Sequence, residues 1–202
     1  VVNKKGEGPP QSGPSFFTIM VLRTALIVAL LAVAPAALAQ SRVQERVQVV
    51  TTTTDLRSLA EAVGGDRIVA VSLVPPGLDA EEYQPKPQDA LRLKQAQLLV
   101  RVGLDYDLWV DRLLAQVGRP EISRGGPAYV DTSLAIAVLE LRGMSVGPGD
   151  GHAHGSGNPH YWLDPKNAET ITANIFEALA RIDPANAATY EANRQAFLAR
   201  LN

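Results

Sequence analysis

Between residues 47 and 137 the chain alternates short, nearly continuous apolar runs with stretches whose apolar residues recur at helical spacing. That alternation constrains the fold more than any other feature, because a strand apolar on both faces must be covered on both faces. Residues 47–51, rich in branched side chains, predict a first strand. Leu56, Leu59, Ala60 and Val63 then follow i, i+3, i+4, i+7, and Gly64-Gly65 closes that helix. Residues 68–74 predict a second strand ended by Pro75-Pro76-Gly77, residues 88–96 a short helix and residues 98–102 a third strand. Tyr106, Trp109, Val110, Leu113, Leu114 and Val117 form an amphipathic stripe closed by Gly118, and residues 128–130 predict a brief fourth strand. The fold class is therefore α/β, a parallel sheet flanked by helices. In such sheets ligands bind beyond the carboxyl ends of the strands. That rule singles out the 75–87 loop, which leaves strand two, and the 142–160 loop, downstream of strand four.

The flanks carry different signals. Residues 1–19 are polar and rich in Pro and Gly, and read as a disordered upstream segment. From Met20, Arg23 and the apolar run 24–34 are followed by Pro35 and Ala37-Leu38-Ala39, so residues 20–39 read as a secretory signal peptide cleaved before Gln40. Pro35 and the Ala-Leu-Ala end argue against an uncleaved membrane anchor. Residues 143–157 read as a flexible Gly-rich loop. Residues 167–182 are helical, with Ile171, Ile175, Leu179 and Ile182 on one face, and Asp183-Pro184 punctuates them. A further helix bearing Tyr190, Phe197 and Leu201 meets no stop signal before Asn202, so the natural chain is expected to continue.

Charge and cysteine content exclude several function classes. Without residues 1–39 the chain has 16 basic and 20 acidic residues, a net of −4, with no basic stripe for nucleic acid. There is no cysteine. Disulfides, thiolate metal sites, cysteine nucleophiles and a lipid-bearing cysteine are thereby excluded. Export points to a bacterial periplasm.

The chemistry-bearing residues cluster. All three histidines, His152, His154 and His160, fall within nine positions, the last inside Asn158-Pro159-His160-Tyr161-Trp162-Leu163-Asp164-Pro165. An imidazole held between prolines at the head of a helix can offer one nitrogen to a metal while the other is fixed by an acceptor. Taken singly, such a histidine is more often a packing residue. Asp164 reads as the cap of a helix opening at Pro165 rather than as a ligand. Asp79, Glu81 and Glu82 lie in a loop bracketed by prolines, which suits hard or borderline cations or, on composition alone, a solvated acidic loop. His152 and His154 can chelate as a pair, but their glycine-rich setting suits a capture arm or a solvated loop better than a rigid active site. No phosphate-cradling turn, zincin helix or nucleophile elbow is present, which leaves an enzyme little support.

These landmarks, in order, resemble the solute-binding subunits of zinc and manganese ABC importers, the ZnuA/TroA/PsaA-like family. The resemblance rests on Thr51-Thr52-Thr53, Gly64-Gly65-Asp66, Leu73-Val74-Pro75-Pro76-Gly77, Asp79 with Tyr83-Gln84-Pro85, Gly103-Leu104 ahead of Trp109, and Pro159 to Pro165. It implies one lobe of a two-lobe periplasmic binding protein with a rigid helical linker. Residues 40–182 are then the amino-terminal metal-binding lobe and residues 183–202 the start of the inter-lobe helix, the carboxyl-terminal lobe lying beyond Asn202. It further implies a monomer that carries no chemistry, binds Zn2+, Mn2+ or Fe2+ as cargo and delivers it to a membrane ABC permease. The metal ligands carried over are His160 and Glu81, with His152 and His154 as accessory capture residues and two further ligands beyond Asn202. Where family members usually have histidine, this chain has Glu81, a change that tilts preference from zinc toward manganese or iron(II). The alternatives are a binding protein of the same fold for another ligand, such as an iron chelate, and an exported metal-dependent hydrolase built on His152 and His154.

Overall fold

The computed structural model describes residues 45–139 and 157–201. The expected upstream segment and signal peptide, and His152 and His154 with nearly all of their loop, lie outside the described residues. Four parallel strands, β1 (Val47–Thr51), β2 (Ile68–Ser72), β3 (Leu98–Arg101) and β4 (Tyr129–Asp131), form one sheet in the order β2-β1-β3-β4. Val47 pairs with Ile68, Val49 with Leu98, and Leu99 with Tyr129. The central strands are apolar on both faces, as the sequence pattern predicts: β3 is buried throughout, and Val49 and Val50 are buried in β1. At the edge, β2 leaves Val71 exposed.

Among the described residues, five α-helices cover the sheet: α1 (Thr54–Gly64), α2 (Pro87–Gln95), α3 (Trp109–Val117), α4 (Asn167–Ile182) and α5 (Ala187–Leu201). Right-handed crossovers set α1 on one face and α2 and α3 on the other. The packing agrees, α2 lying against α3, and α1 against α4 and α5. Leu56, Ala60 and Val63 of α1 and Ile171, Ile175 and Leu179 of α4 are buried, which is the reason these segments fold as helices at 3.6-residue spacing. Each such large aliphatic side chain contributes roughly 1.5–3 kcal/mol through burial. The ends are set locally. Thr53 caps α1 by accepting from the Leu56 N–H at 3.3 Å, and Gly118 closes α3 in the left-handed region at φ 67°. On α5, Tyr190 is buried with its hydroxyl donating to Asp183 at 2.6 Å, and Asn193 donates to the Val63 carbonyl at 3.0 Å. The helix expected to begin the linker thus packs against α1 and α4. Among the described residues no helix is long and apolar enough to cross a membrane.

Around the carboxyl rim, three sequence expectations about helix boundaries need correction. Tyr106, read as part of the amphipathic helix, lies in the turn before α3, which begins only at Trp109. His160 heads a single 3-10 turn (Tyr161–Leu163), not an α-helix. The following α-helix opens at Asn167 rather than Pro165, although the Asp164 carboxylate does accept from the Lys166 N–H at 2.9 Å. The prolines at 159 and 165 bracket this turn, and the residue before a proline is pushed out of helical geometry. From β1 the chain runs first to β2 and then back across to β3, so the crevice between the carboxyl ends of β1 and β3 is the switch point where such sheets bind ligands.

Candidate metal centre

Glu81 reaches the rim on the loop between β2 and α2. Gly77, at φ 79°, turns the chain after the two prolines. Asp79 then accepts from the Glu81 N–H at 2.8 Å, a side-chain turn that fixes the direction of Glu81. On either side the loop is anchored to the body. The Trp109 indole donates to the Ala80 carbonyl at 2.7 Å, and buried Tyr83 donates to Asp89 at 2.8 Å while its ring meets Trp109 edge-on at 5.0 Å. Asp89 is 1% exposed and also accepts from the Lys86 N–H at 2.8 Å and from Arg92 at 3.1 Å.

His160 arrives from the loop after β4. Tyr161, next to it, is buried and donates to the Val102 carbonyl at 2.6 Å, with Thr132 Oγ1 at 2.7 Å, which pins the loop to the ends of β3 and β4. Burial foremost pushes the Tyr161 hydroxyl well above its ordinary value, so it stays a donor. Asn158 Oδ1 accepts from the His160 N–H at 3.0 Å and stands 3.0 Å from Nδ1. An oxygen already accepting from a backbone amide can only accept again, so Nδ1 carries the proton and Nε2 keeps its lone pair in the neutral ring. That Nε2 lies 3.3 Å from Glu81 Oε1. Two donor atoms separated by 79 residues of sequence therefore face one another at the rim, with the His160 side chain 41% exposed and the Glu81 side chain 11% exposed.

The third wall is the loop between β3 and α3. Gly103, Leu104 and Asp105 take φ values of 80°, 48° and 64°, and a Cβ on Gly103 would collide with the Asp131 carboxylate. A buried ion pair holds this turn: Arg101 donates to Asp107 at 2.7 and 2.9 Å and to Asp111 at 2.7 Å, while Asp107 accepts from the Val102 N–H at 2.8 Å. Burial works against the Arg101 charge, but Asp107, then Tyr129 and Asp111, more than offset it. The turn delivers Tyr106, whose ring meets His160 edge-on at 5.5 Å and Trp162 at 4.9 Å; Trp162 lies 5.3 Å from His160. Burial, then the charges of Glu81, Asp79, Asp107 and Asp55, pushes the Tyr106 hydroxyl up to about 12. The crevice is negatively charged and suits a cation. Among the described residues no group of three or more His, Cys, Asp or Glu side chains gathers at one point, so Glu81 and His160 stand as a pair.

Sequence reasoning singled out Glu81 and His160 but gave Asn158, Tyr106, Arg101 and Asp107 no role. The Gly103-Leu104-Asp105 turn signal was the available hint for Tyr106. Nothing local marks the Arg101–Asp107 pair.

The parallel α/β architecture thus brings an imidazole and a carboxylate together at the carboxyl rim of its sheet. Residues 49–202 match the family described as "Zinc-uptake complex component A periplasmic", and the chain belongs to that family. It is similar to the "Iron-binding protein YfeA" of Yersinia pestis, 31% identical over 172 residues, 84% of this chain and 51% of that protein. It is 29% identical over 189 residues to the "Manganese ABC transporter substrate-binding lipoprotein PsaA" of Streptococcus pneumoniae, 92% of this chain and 57% of that protein. A crystal structure of a zinc-bound ZnuA deletion mutant superposes with a TM-score of 0.64 at 29% identity, covering 78% of this chain and 55% of that one. The chain spans about half the length of the curated relatives it matches.

Proposed function

We propose that this lobe captures a divalent transition metal for an ABC importer, with Glu81 Oε1 and His160 Nε2 as its two protein ligands. The observation that carries the reading is their 3.3 Å separation at the carboxyl rim of the sheet. Ligand atoms each roughly 2.0–2.2 Å from a tetrahedral ion stand roughly 3.3–3.5 Å apart. A lone-pair nitrogen facing a carboxylate oxygen is a pair that a positive charge completes. Two protein ligands leave coordination positions open, which water or the remainder of a longer protein fills; relatives of about twice this length support the second source.

The cargo in this reading is Zn2+, Mn2+ or Fe2+, and a carboxylate paired with one imidazole favours manganese or iron(II) more than two imidazoles would. Relatives named for iron and for manganese support that range. His152 and His154 act as accessory capture donors. The protein works in the periplasm as a monomer, passes its metal to a membrane permease and catalyses no reaction. Calorimetric titration of Mn2+ and Zn2+ into the protein tests the assignment. Glu81→Ala and His160→Ala should each lower affinity by at least tenfold with the fold intact, and unchanged affinity in both variants contradicts it.

A further inference from the structure

We propose that Trp109 is a positioning residue for this site: its indole N–H holds the Ala80 carbonyl and so aims the Glu81 carboxylate at His160. The inference rests on the reading of Glu81 and His160 as ligands. One peptide group carries it. The Trp109 indole donates to the Ala80 carbonyl at 2.7 Å, and the N–H across that same peptide bond, from Glu81, donates to Asp79 Oδ1 at 2.8 Å. A peptide group is planar, so gripping its oxygen and its nitrogen together keeps it from turning. The Glu81 Cα lies in that plane, and the side chain leaves it with its direction set. Oε1 then stands 3.3 Å from His160 Nε2.

The two grips differ in what they tie together. Asp79 lies in the same loop as Glu81, so its bond shapes the loop but would travel with it. Trp109 is the first residue of α3, 29 residues from Ala80 in sequence. That helix is fixed to the sheet: Val110 is buried, its N–H donates to the Asp107 carbonyl at 3.1 Å, and the Asp107 carboxylate is 2.7 Å from Arg101 of β3. The indole thereby carries the position of the sheet into the Glu81 loop. It also joins both sides of the crevice, because Tyr106, in the turn before Trp109, meets the His160 ring edge-on at 5.5 Å. The edge-on contact with Tyr83 at 5.0 Å accounts for an aromatic ring at position 109 but not for an indole. Only the N–H reaches the carbonyl of buried Ala80, where losing a donor is costly.

Replacing Trp109 by its benzothiophene analogue puts sulfur in place of the N–H and keeps the shape of the ring; Trp109→Phe is the simpler variant. In both, the Glu81 amide of the whole chain without metal should exchange its hydrogen about tenfold faster, while amides of β3 keep their wild-type rates. Affinities for Mn2+ and for Zn2+ should each fall about tenfold by calorimetry, because the carboxylate is misaimed before either ion arrives. Asn193→Ala is the control. It removes another side-chain bond to a carbonyl, that of Val63 at 3.0 Å, and should leave both affinities unchanged. Wild-type affinity or unchanged Glu81 exchange in the benzothiophene variant, or an equal loss of affinity in Asn193→Ala, while Glu81→Ala still loses binding, would overturn the role of Trp109 alone. A wild-type chain that binds neither metal, or a Glu81→Ala variant that binds like wild type, overturns the ligand reading and this inference together.

Discussion

His160 is exposed, yet three neighbours restrict it: Asn158 on Nδ1, Tyr106 at its edge and Trp162 on its flank. An exposed imidazole held this way has already lost the rotational freedom that binding would otherwise remove, and the nitrogen it turns toward Glu81 is specified in advance. Asn158 is the most economical place to test that idea. Asn158→Ala leaves the ring free to turn and to carry its proton on either nitrogen. Metal affinity should fall about ten- to a hundredfold by calorimetry. Thermal stability should barely move, since the Asn158 contacts with His160 lie at the exposed rim. An equal loss of stability would make Asn158 a folding residue instead.

At the scale of elements, the loops at the carboxyl end are held by buried polar anchors rather than by apolar packing alone. Arg101 and Asp107 are 1% and 0% exposed, so removing one partner strands the other's charge in the interior. Asp107→Ala should destabilise the fold by about 3–5 kcal/mol, read as a lowered denaturation midpoint. Replacing both partners with apolar residues should recover part of that loss; recovery of none would show that the carboxylate's bond to the Val102 amide, not the ion pair, dominates. This layer was the least legible in the sequence. The strands and α1 follow from local periodicity, and α4 matches its apolar spacing of Ile171, Ile175, Leu179 and Ile182 end to end. Tyr106 fits the i+3 spacing of α3 equally well, and only the turn at 103–105 peels it away. The second strand was read to Val74, but regular pairing stops at Ser72, where β1 has reached Thr51. Glu81 and His160 were legible as donor types in bracketed loops. Their meeting was not, because it depends on strand order, which no local pattern encodes.

For the molecule as a whole, the five tyrosines tie the loops and α5 to the body, and burial raises all of them. Tyr83 and Tyr106 are each pushed up to about 12 from 10.0, burial being the first cause in both. A raised phenol holds its proton in the folded state where the unfolded chain has lost it. Stability is therefore complete below pH of about 10 and falls as pH rises toward about 12. In an alkaline titration, tyrosinate absorbance should appear late and together with the loss of circular dichroism; ionisation near 10 in the still-folded protein would contradict the packing described. The same body that buries these rings holds Glu81 and His160 3.3 Å apart at its carboxyl rim. Anomalous diffraction from crystals of the Mn2+-loaded protein tests that centre most directly. One peak is predicted within about 2.0–2.3 Å of both Glu81 Oε1 and His160 Nε2. A metal peak that touches neither residue, or only one of them, would contradict the shared-ion site.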